Sequence, residues 1–475
     1  MSFFRKKPSS LIYFILLAVV LRFSLIFLDF SFDINSYIAW AKEAIKYGLP
    51  GFYERPSLER YSSVFPNYPP LSIFLFIIFH SLHQFVFKIA WQINLWLPLF
   101  PSKLILFLES RQALAGFMKL PGVAFDIGLA LLIYQFIKKL KVRTGFISAL
   151  VGANLILFNP GFFYNSSYLG QIESIPLFFL IASFYVLFFC RSIFWSLPLF
   201  TLAILSKQTA VIFFPVIIFI FVKKGPWRSL IKGTFLSLAI FLLSFVFFYQ
   251  RGSPLLFPFK TYLEKILLAP GLPFASNHAY NFWALITSWQ NIKDTTKFLF
   301  FNYQTWGYLI GGLLLLIGYL SSIALEKEDW LFNKKLSAGN ILKVAAFLAL
   351  TVFLFFTKIH ERHLQQALPF LLLAGLKDKK FLRGFYYFSF VYFINIYHNW
   401  PVPKIVLFEY LVKLPLVVNG FIIFSLIIYF YLLFAKITSC KSLPIFRSIR
   451  NTHGLSPQKW TWRKSPAGLR KKELH

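Results

Sequence analysis

The stretch 354-LFFTKIHERHLQQALPFLLL-373 places a cluster of ionisable side chains between two apolar runs. The apolar runs are 344-VAAFLALTVFLFF-356 and 367-ALPFLLLAGL-376. The cluster consists of Lys358, His360, Glu361, Arg362 and His363. Ionisable groups beside membrane-like segments are costly, and they mark functional sites by default. The stretch therefore predicts apolar helices with a polar site where two of them end.

The composition extends this pattern to the whole chain of 475 residues, of which 58% are hydrophobic, 21% are aromatic and only 14% are charged. Average soluble domains carry about 25% charged residues. Apolar runs of about 20 residues, the length that crosses a bilayer core, recur along the sequence. The sequence therefore predicts an all-α, polytopic transmembrane helical bundle and excludes a water-soluble domain.

Thirteen apolar runs predict crossings, near residues 11–28, 70–87, 119–137, 146–163, 171–190, 193–206, 208–222, 230–249, 304–325, 342–357, 364–376, 385–398 and 411–434. The first has no small-residue cleavage site, so we expect a retained helix rather than a signal peptide. A further crossing is predicted at 89–108, because two cytoplasmic basic termini require an even number. We expect about 14 crossings in a membrane domain at 1–435, with a basic cytoplasmic tail at 436–475.

The net charge of +32 lies in short basic clusters between apolar runs, such as 138-KKLKVR-143 and 377-KDKKFLR-383. An excess of Lys and Arg in cytoplasmic loops is typical of multi-pass membrane proteins. We expect the tail to contact anionic membrane lipids. The charge therefore needs no nucleic-acid partner.

The unusual polar residues gather on the opposite, non-cytoplasmic face. The first external loop, near 29–69, contains 33-DINSYIAWAKEAIKYG-48, a short amphipathic helix pattern. Other external turns are expected at 159–174, 206–210, 250–303 and 358–363. We therefore expect a multi-pass protein of the cell membrane with its site on the non-cytoplasmic face.

Few carboxylates are available to such a site, because the chain has only 17 acidic residues. The candidates are Asp33, Asp126, Glu173 and Glu361. Structural alternatives remain open for three of them. Asp33 could be a helix cap or a solvated loop residue, Asp126 could bond a neighbouring helix, and Glu173 could favour a helix N-terminus by its charge.

The complementary cations are Lys207, His360 and Arg362. A phosphate group needs such partners, because Arg binds it through a planar fork and Lys binds it as a point charge. The alternative for Lys207 is the snorkelling of a lone lysine at a helix end. The sequence has no Gly-rich phosphate loop, so we expect any phosphate to arrive on a lipid.

Seven short motifs, in this order, resemble those of the GT-C class of integral-membrane glycosyltransferases. The resemblance is to the dolichyl-phosphate-glucose-dependent glucosyltransferases of the asparagine-glycan pathway and their prokaryotic mannosyltransferase-like relatives. The motifs are Asp33 with Trp40 seven residues later; Tyr68-Pro69-Pro70; Met118-Lys119 with Asp126; Asn159-Pro160 with Tyr164-Asn165 and Leu169-Gly170; Lys207-Gln208; Asn281-Phe282-Trp283; and His360-Glu361-Arg362. Lys119 stands where the glucosyltransferases have Arg, and Glu173, after Gln171, stands where many prokaryotic relatives have Asp.

The resemblance implies an inverting transfer of a glucose- or mannose-type hexose from a polyprenyl-phosphate donor to an acceptor hydroxyl, on a glycan lipid or another molecule. Asp33 is the expected general base. His360, Arg362 and Lys207 are the expected donor-phosphate ligands. We expect neither a metal nor a cofactor. The remaining candidates support the site: Asp126, Glu173, Lys119, Trp40, Tyr68, Asn165, Gln171, Asn281, Trp283 and Glu361.

Two other function classes remain open. A transporter or flippase of lipid-linked sugars also needs charges in a membrane cavity, but it predicts polar residues at mid-depth on several helices. A polysaccharide polymerase or ligase predicts a similar charge placement without the Asp33–Trp40 and Tyr68-Pro69-Pro70 motifs.

Overall fold

The structure, a computed structural model, describes residues 10–57, 65–140, 146–269, 271–324 and 337–438. The predicted basic tail lies outside the described residues beyond Thr438. The described part of the chain is almost entirely helical, which confirms the predicted all-α class. Its strands form one short antiparallel hairpin, in which β1 (Lys297–Phe298) pairs with β2 (Phe301–Asn302).

The α-helices of the described residues are α1 (Ser10–Leu25), α2 (Phe32–Tyr47), α3 (Pro70–Trp96), α4 (Ser102–Glu109), α5 (Arg111–Leu140), α6 (Ala149–Leu157), α7 (Pro160–Phe163), α8 (Ser174–Phe189), α9 (Ser196–Ser206), α10 (Phe214–Lys224), α11 (Trp227–Phe245), α12 (Phe257–Thr261), α13 (Phe282–Ile286), α14 (Tyr303–Ala324), α15 (Ala338–Phe355), α16 (Leu368–Gly375), α17 (Lys379–Asn399), α18 (Val406–Lys413) and α19 (Pro415–Thr438). Two π-helical segments span Tyr164–Leu169 and Tyr262–Leu267. Short 3-10 segments span Phe52–Glu54, Ile193–Trp195, Gln208–Phe213, Val246–Phe248 and Glu361–Ala367.

Local chemistry explains where several helices begin. α3 starts at Pro70, and proline fits a first helical turn because it has no N–H to leave unpaired. The side chains of Ser148 and Asn159 accept hydrogen bonds from the first turns of α6 and α7. Asp378 does the same for α17, with its Oδ1 3.1 Å from the backbone nitrogen of Lys380. Each cap satisfies a backbone donor that has no partner within the helix.

Among the described residues, five helices are long and apolar enough to cross a membrane: Pro70–Trp96, Arg111–Leu140, Trp227–Phe248, Ala338–Phe355 and Pro415–Phe434. Only 11% of the most apolar window of Trp227–Phe248 is buried inside the protein. Soluble monomers rarely expose apolar patches of such extent, whereas a lipid bilayer accommodates them. These helices are therefore consistent with a membrane protein.

The predicted crossing at 89–108 does not form a single helix of its own. Its first part completes α3, and its second part is α4, which has eight residues. A crossing needs about 20 apolar residues, so α4 is too short to span a bilayer. Two prolines lie between these helices, and neither can continue one because proline lacks a backbone donor.

Three apolar clusters are buried among the described residues, and the two larger ones join most of the helices named here. The larger core joins α5, α6, α8, α9 and α15 to α17. The smaller core joins α2 and α3 through Tyr37, Trp40, Tyr68 and Phe76. The amphipathic helix predicted at 33–48 is α2, and its apolar face forms part of this smaller core.

Candidate active site

Residues far apart in sequence meet at one end of the helical bundle. The contributing positions are the first turn of α2 (Asp33), the residue two before α3 (Tyr68), the residue before α8 (Glu173), the residue after α9 (Lys207) and the 3-10 segment after α15 (Arg362). α3 and α8 begin at this end, and α9 and α15 finish there. The predicted gathering of the candidate residues at helix ends therefore agrees with the structure.

A cavity of about 790 Å³ opens at this end. Its walls include five residues that the sequence singled out, namely Asp33, Trp40, Tyr68, His360 and Arg362. The volume is within the range of small-molecule sites, roughly 300–1,000 Å³. The cavity can therefore hold a ligand against a carboxylate, a guanidinium and an imidazole at once.

Arg362 lies among three carboxylates. Its Nη2 is 3.2 Å from Asp33 Oδ2, its Nε is 3.3 Å from Glu173 Oε1 and its Nη1 is 3.4 Å from Glu361 Oε1. Burial opposes the charged guanidinium, but the carboxylates outweigh burial and hold the pKa of Arg362 well above its usual range. Arg362 is therefore a fixed cation on the cavity wall.

Asp33 is half-buried, and its carboxylate faces the cavity. Gln171 Nε2 donates a hydrogen bond of 2.6 Å to Asp33 Oδ2. Burial by itself would raise the pKa of Asp33, but Arg362, this hydrogen bond and Lys207 outweigh it, so the pKa is lower than the ordinary 3.8. Ser31 occupies the cap position of α2, so Asp33 is not the cap of that helix.

Lys207 is buried beneath the cavity rather than on its wall. It forms an ion pair with Glu173, and these side chains are 3% and 1% exposed. Its ammonium also lies 5.2 Å from the centre of the Tyr68 ring. The structure therefore places Lys207 one layer behind Arg362, with Glu173 between the two cations.

His360 lines the cavity, and His363 lies directly beside it. The segment is a 3-10 helix, in which residues three apart lie on one face. The backbone N–H of His360 donates to His363 Nδ1 at 3.2 Å. Burial and the neighbouring cations hold the pKa of both imidazoles well below 6.5, so both are neutral at pH 7.

The turn after the first π-helical segment requires glycine. Gly170 has φ +79°, and a Cβ there would lie 2.5 Å from Ile34 Cδ1. A Cβ on Gly122 of α5 would lie 2.8 Å from the carbonyl oxygen of Gln171. These two glycines let α2 and α5 approach the turn closely, and this approach positions Gln171 against Asp33.

A chain of buried side-chain hydrogen bonds supports Glu173 from below. Asn165 Nδ2 lies 3.4 Å from Glu173 Oε2 and 2.9 Å from Gln365 Oε1. Gln365 also accepts from the Tyr392 hydroxyl at 2.6 Å and donates to Ser174 Oγ at 2.8 Å. These hydrogen-bonded side chains hold Glu173 in place, and Glu173 in turn positions Arg362.

Asp126 lies at the far end of this chain, beneath the cavity. It pairs with Arg22 of α1 at 3.3 Å, and both side chains are fully buried. Ser166 donates to it at 2.6 Å, and Ser174 also donates to it. Asp126 therefore bonds neighbouring helices, which is the structural alternative that the sequence left open.

Arg22→Ala should lower the free energy of unfolding by about 3–5 kcal/mol, because it leaves a buried carboxylate without its charge partner. Unfolding in detergent, followed by circular dichroism, measures the change. The double variant Arg22→Met/Asp126→Leu removes both charges and should recover most of the stability. An unfolding midpoint of Arg22→Ala equal to that of the wild type would contradict the prediction.

Three other predicted residues lie outside the cavity. Lys119 Nζ donates to the carbonyl oxygens of Ile26 at 2.7 Å and Ser167 at 2.9 Å. Asn281 caps α13, and Trp283 Nε1 donates to the carbonyl oxygen of Phe355 at 2.7 Å. These contacts join loops to helices, and none of these side chains faces the cavity.

Sequence reasoning missed several participants. An arginine within an apolar run is a signal in itself, so Arg22 could have been found. Gln365 lies three residues after Arg362 and gave no signal, because its role depends on contacts with distant residues. Glu264 and Lys265 line the cavity from the long loop after α11, where nothing distinguishes them from solvated loop residues.

Among the described residues, no group of three His, Cys, Asp or Glu side chains is placed to hold a metal ion. The cavity wall carries charged and hydrogen-bonding side chains, among them the guanidinium of Arg362.

No family model matches the chain, and no curated protein is similar enough to match it.

Proposed function

We propose that the protein is a membrane glycosyltransferase that moves a hexose from a polyprenyl-phosphate donor to an acceptor hydroxyl. One observation carries the proposal: a carboxylate, a guanidinium and an imidazole, from Asp33, Arg362 and His360, line a single cavity in a chain rich in apolar helices. The motif resemblance to the GT-C class gives the same reaction. The sugar is of the glucose or mannose type.

The reaction needs a base for the acceptor. In the proposed step, the acceptor oxygen bonds to the anomeric carbon while its proton passes to Asp33. The bond from the anomeric carbon to the phosphate oxygen breaks on the opposite face of the sugar, so the configuration inverts. Asp33 is suited to this role because it is ionised and reaches the cavity.

The leaving group is a polyprenyl phosphate, which gains negative charge as the bond breaks. A fixed cation aimed at that charge stabilises the transition state. Arg362 supplies the cation, and neutral His360 supplies one hydrogen bond. Lys207 acts indirectly. It neutralises the negative charge of Glu173, so that carboxylate compensates less of the positive charge of Arg362.

Donor binding should also release the base. Arg362 Nη2 lies 3.2 Å from Asp33 Oδ2. A donor phosphate competes for the same guanidinium, and its arrival weakens the hold of Arg362 on Asp33. The carboxylate then becomes a stronger base when the donor is in place.

The starts of α3 and α5 support an inference about the number of crossings. α3 begins beside Tyr68 of the cavity, and α5 begins at Arg111, which donates to Asn35 of α2 at 2.6 Å. The segment from Pro70 to Arg111 therefore starts and ends on the same side of the membrane. Since α4 is too short to return across a bilayer, we infer that α3 lies along the interface without crossing.

This arrangement leaves twelve crossings and puts both termini in the cytoplasm and the cavity on the non-cytoplasmic face. The crossings are α1, α5, α6 with α7, α8, α9 and α10 each with the 3-10 segment before it, α11, α14, α15, α16 with residues 364–367 before it, α17 and α19. An even count agrees with the basic clusters on the cytoplasmic side.

Ser102→Cys, at the start of α4, should react with a membrane-impermeant maleimide in intact cells, in a background with Cys190 and Cys440 replaced by Ser. Thr295→Cys, in the long loop that carries the hairpin, should also react from outside. Native Cys190, which is exposed, should react only in inverted vesicles. Labelling of Ser102→Cys in inverted vesicles alone would show that α3 crosses the bilayer and would overturn the twelve-crossing arrangement.

The function itself is tested with purified protein, a panel of polyprenyl-phosphate hexoses and candidate lipid-linked acceptors. We expect a glycosylated acceptor with inverted anomeric configuration. Movement of the lipid-linked sugar across proteoliposomes without transfer would favour a transporter. Repeated addition of one unit to a growing chain would favour a polymerase.

A further inference from the structure

A second depression, of about 450 Å³, lies beside the main cavity. We name it the polar cleft. Its wall comes from the first loop and from the segment after α11, and it includes Glu54, Gln250, Ser253, Lys260, Glu264 and Lys265. The catalytic groups proposed above do not use it.

The polar cleft and the main cavity share a wall. Glu264 and Lys265 line both of them. A ligand that extends out of the main cavity past these two residues therefore enters the polar cleft. Asp33 and Arg362 lie on the cavity side of this wall.

The shared wall is a π-helical segment, Tyr262–Leu267. Residues in π-helices are rare, well under 1% of all residues, and such turns occur frequently at functional sites. Tyr262 and Ile266 are buried, and the Tyr262 hydroxyl donates to the carbonyl oxygen of Ile204 at 3.2 Å. This anchoring fixes the backbone that presents Glu264 and Lys265.

The first loop packs closely against the cleft wall. Gly51 has φ +71°, and a Cβ there would lie 2.1 Å from Oε1 of Gln250, a residue of that wall. Its backbone N–H donates to the carbonyl oxygen of Phe248 at 3.2 Å. The first loop is therefore held against the end of α11, and its Glu54 lines the cleft together with Lys260.

The chemistry of the lining selects one class of ligand. The carboxylates of Glu54 and Glu264 oppose a polyanion, and the cations Arg251, Lys260 and Lys265 oppose a metal ion. A lining that mixes donors and acceptors, with the amide of Gln250 among them, matches a chain of sugar hydroxyls, since each hydroxyl both donates and accepts. Half-buried Phe257 adds an apolar face.

We propose that the polar cleft binds the glycan portion of the acceptor, an inference that rests on the proposed transferase function. The acceptor sugar that receives the hexose then occupies the main cavity near Asp33. The preceding sugars pass Glu264 and lie in the cleft. The cleft thus sets the preference for acceptor length.

The test uses two lipid-linked acceptors that differ only in carrying a single sugar or a longer glycan. Gln250→Ala and Lys260→Ala should each raise KM for the longer acceptor about five- to tenfold, the loss expected for one hydrogen bond. KM for the single-sugar acceptor and for the donor should not change. Lys103→Ala and Glu109→Gln on α4, which line neither cavity, serve as controls.

A binding measurement separates this proposal from the proposed function. Saturation-transfer NMR on protein in nanodiscs reports the contact of free gluco- and manno-oligosaccharides without turnover. We expect the contact of wild-type protein to grow with oligosaccharide length and to be lost in Gln250→Ala and Lys260→Ala. This result supports glycan binding in the polar cleft even when no transfer is found. Length-independent contact, or equal KM changes for both acceptors, would overturn the cleft assignment while leaving transferase activity intact.

Discussion

Asp33→Asn should reduce turnover by at least about 10²-fold, because it removes the proposed base while keeping the size and polarity of the side chain. The loss should appear in kcat at saturating donor and acceptor. Binding of both substrates should change little, since the amide still fits the cavity. Single-turnover transfer from a labelled polyprenyl-phosphate hexose measures the effect.

The pH dependence gives an independent check. The pKa of Asp33 is lower than 3.8, and only the carboxylate form accepts a proton, so the acid limb of kcat/KM should lie below that pH in the wild type. Glu43→Gln, which removes a carboxyl group farther along α2, should leave both the turnover rate and the acid limb of kcat/KM unchanged. Near wild-type turnover in folded Asp33→Asn would move the role of base to another carboxylate of the cluster.

Arg362→Ala should reduce kcat/KM for the donor by about 10²- to 10³-fold, the cost of removing one group that stabilises the developing charge. Arg362→Lys keeps the charge but loses the planar fork, so its loss should be intermediate. Acceptor KM should change little in either variant. Donor and acceptor titrations in nanodiscs separate these effects.

Arg362→Ala should also move the acid limb of kcat/KM to higher pH. Without the guanidinium, burial acts on Asp33 with less opposition and raises its pKa. Lys404→Ala, which removes a cation whose side chain is 72% exposed, is the matched control. Unchanged donor kinetics in Arg362→Ala would mean that the cluster 358–363 does not bind the donor. The cluster would then be a set of polar residues at helix ends near the membrane interface.

The choice of candidate residues was possible from the sequence because charges are rare in this chain. Asp33, His360 and Arg362 stood out as ionisable groups beside apolar runs, and the structure brings all three to one cavity. The predicted helix at 33–48 also agrees with α2, since its apolar positions recur at helical spacing. Roles that depend on how deeply a side chain is buried could not be predicted, because nothing in the sequence places Lys207 behind Glu173.

The sequence by itself determined that the chain is helical and suited to a membrane, because a backbone in hydrocarbon must satisfy its own polar groups and an apolar run can do so as a helix. Only the tertiary structure decided how the helices use their charges. Asp33 and Arg362 meet across 329 positions of sequence, and Arg22 meets Asp126 across two helices. Such contacts depend on how side chains pack between helices, and hydropathy carries no information about that packing. Packing also decides that the two apolar runs predicted at 70–87 and 89–108 form one long helix, α3, and one short helix, α4.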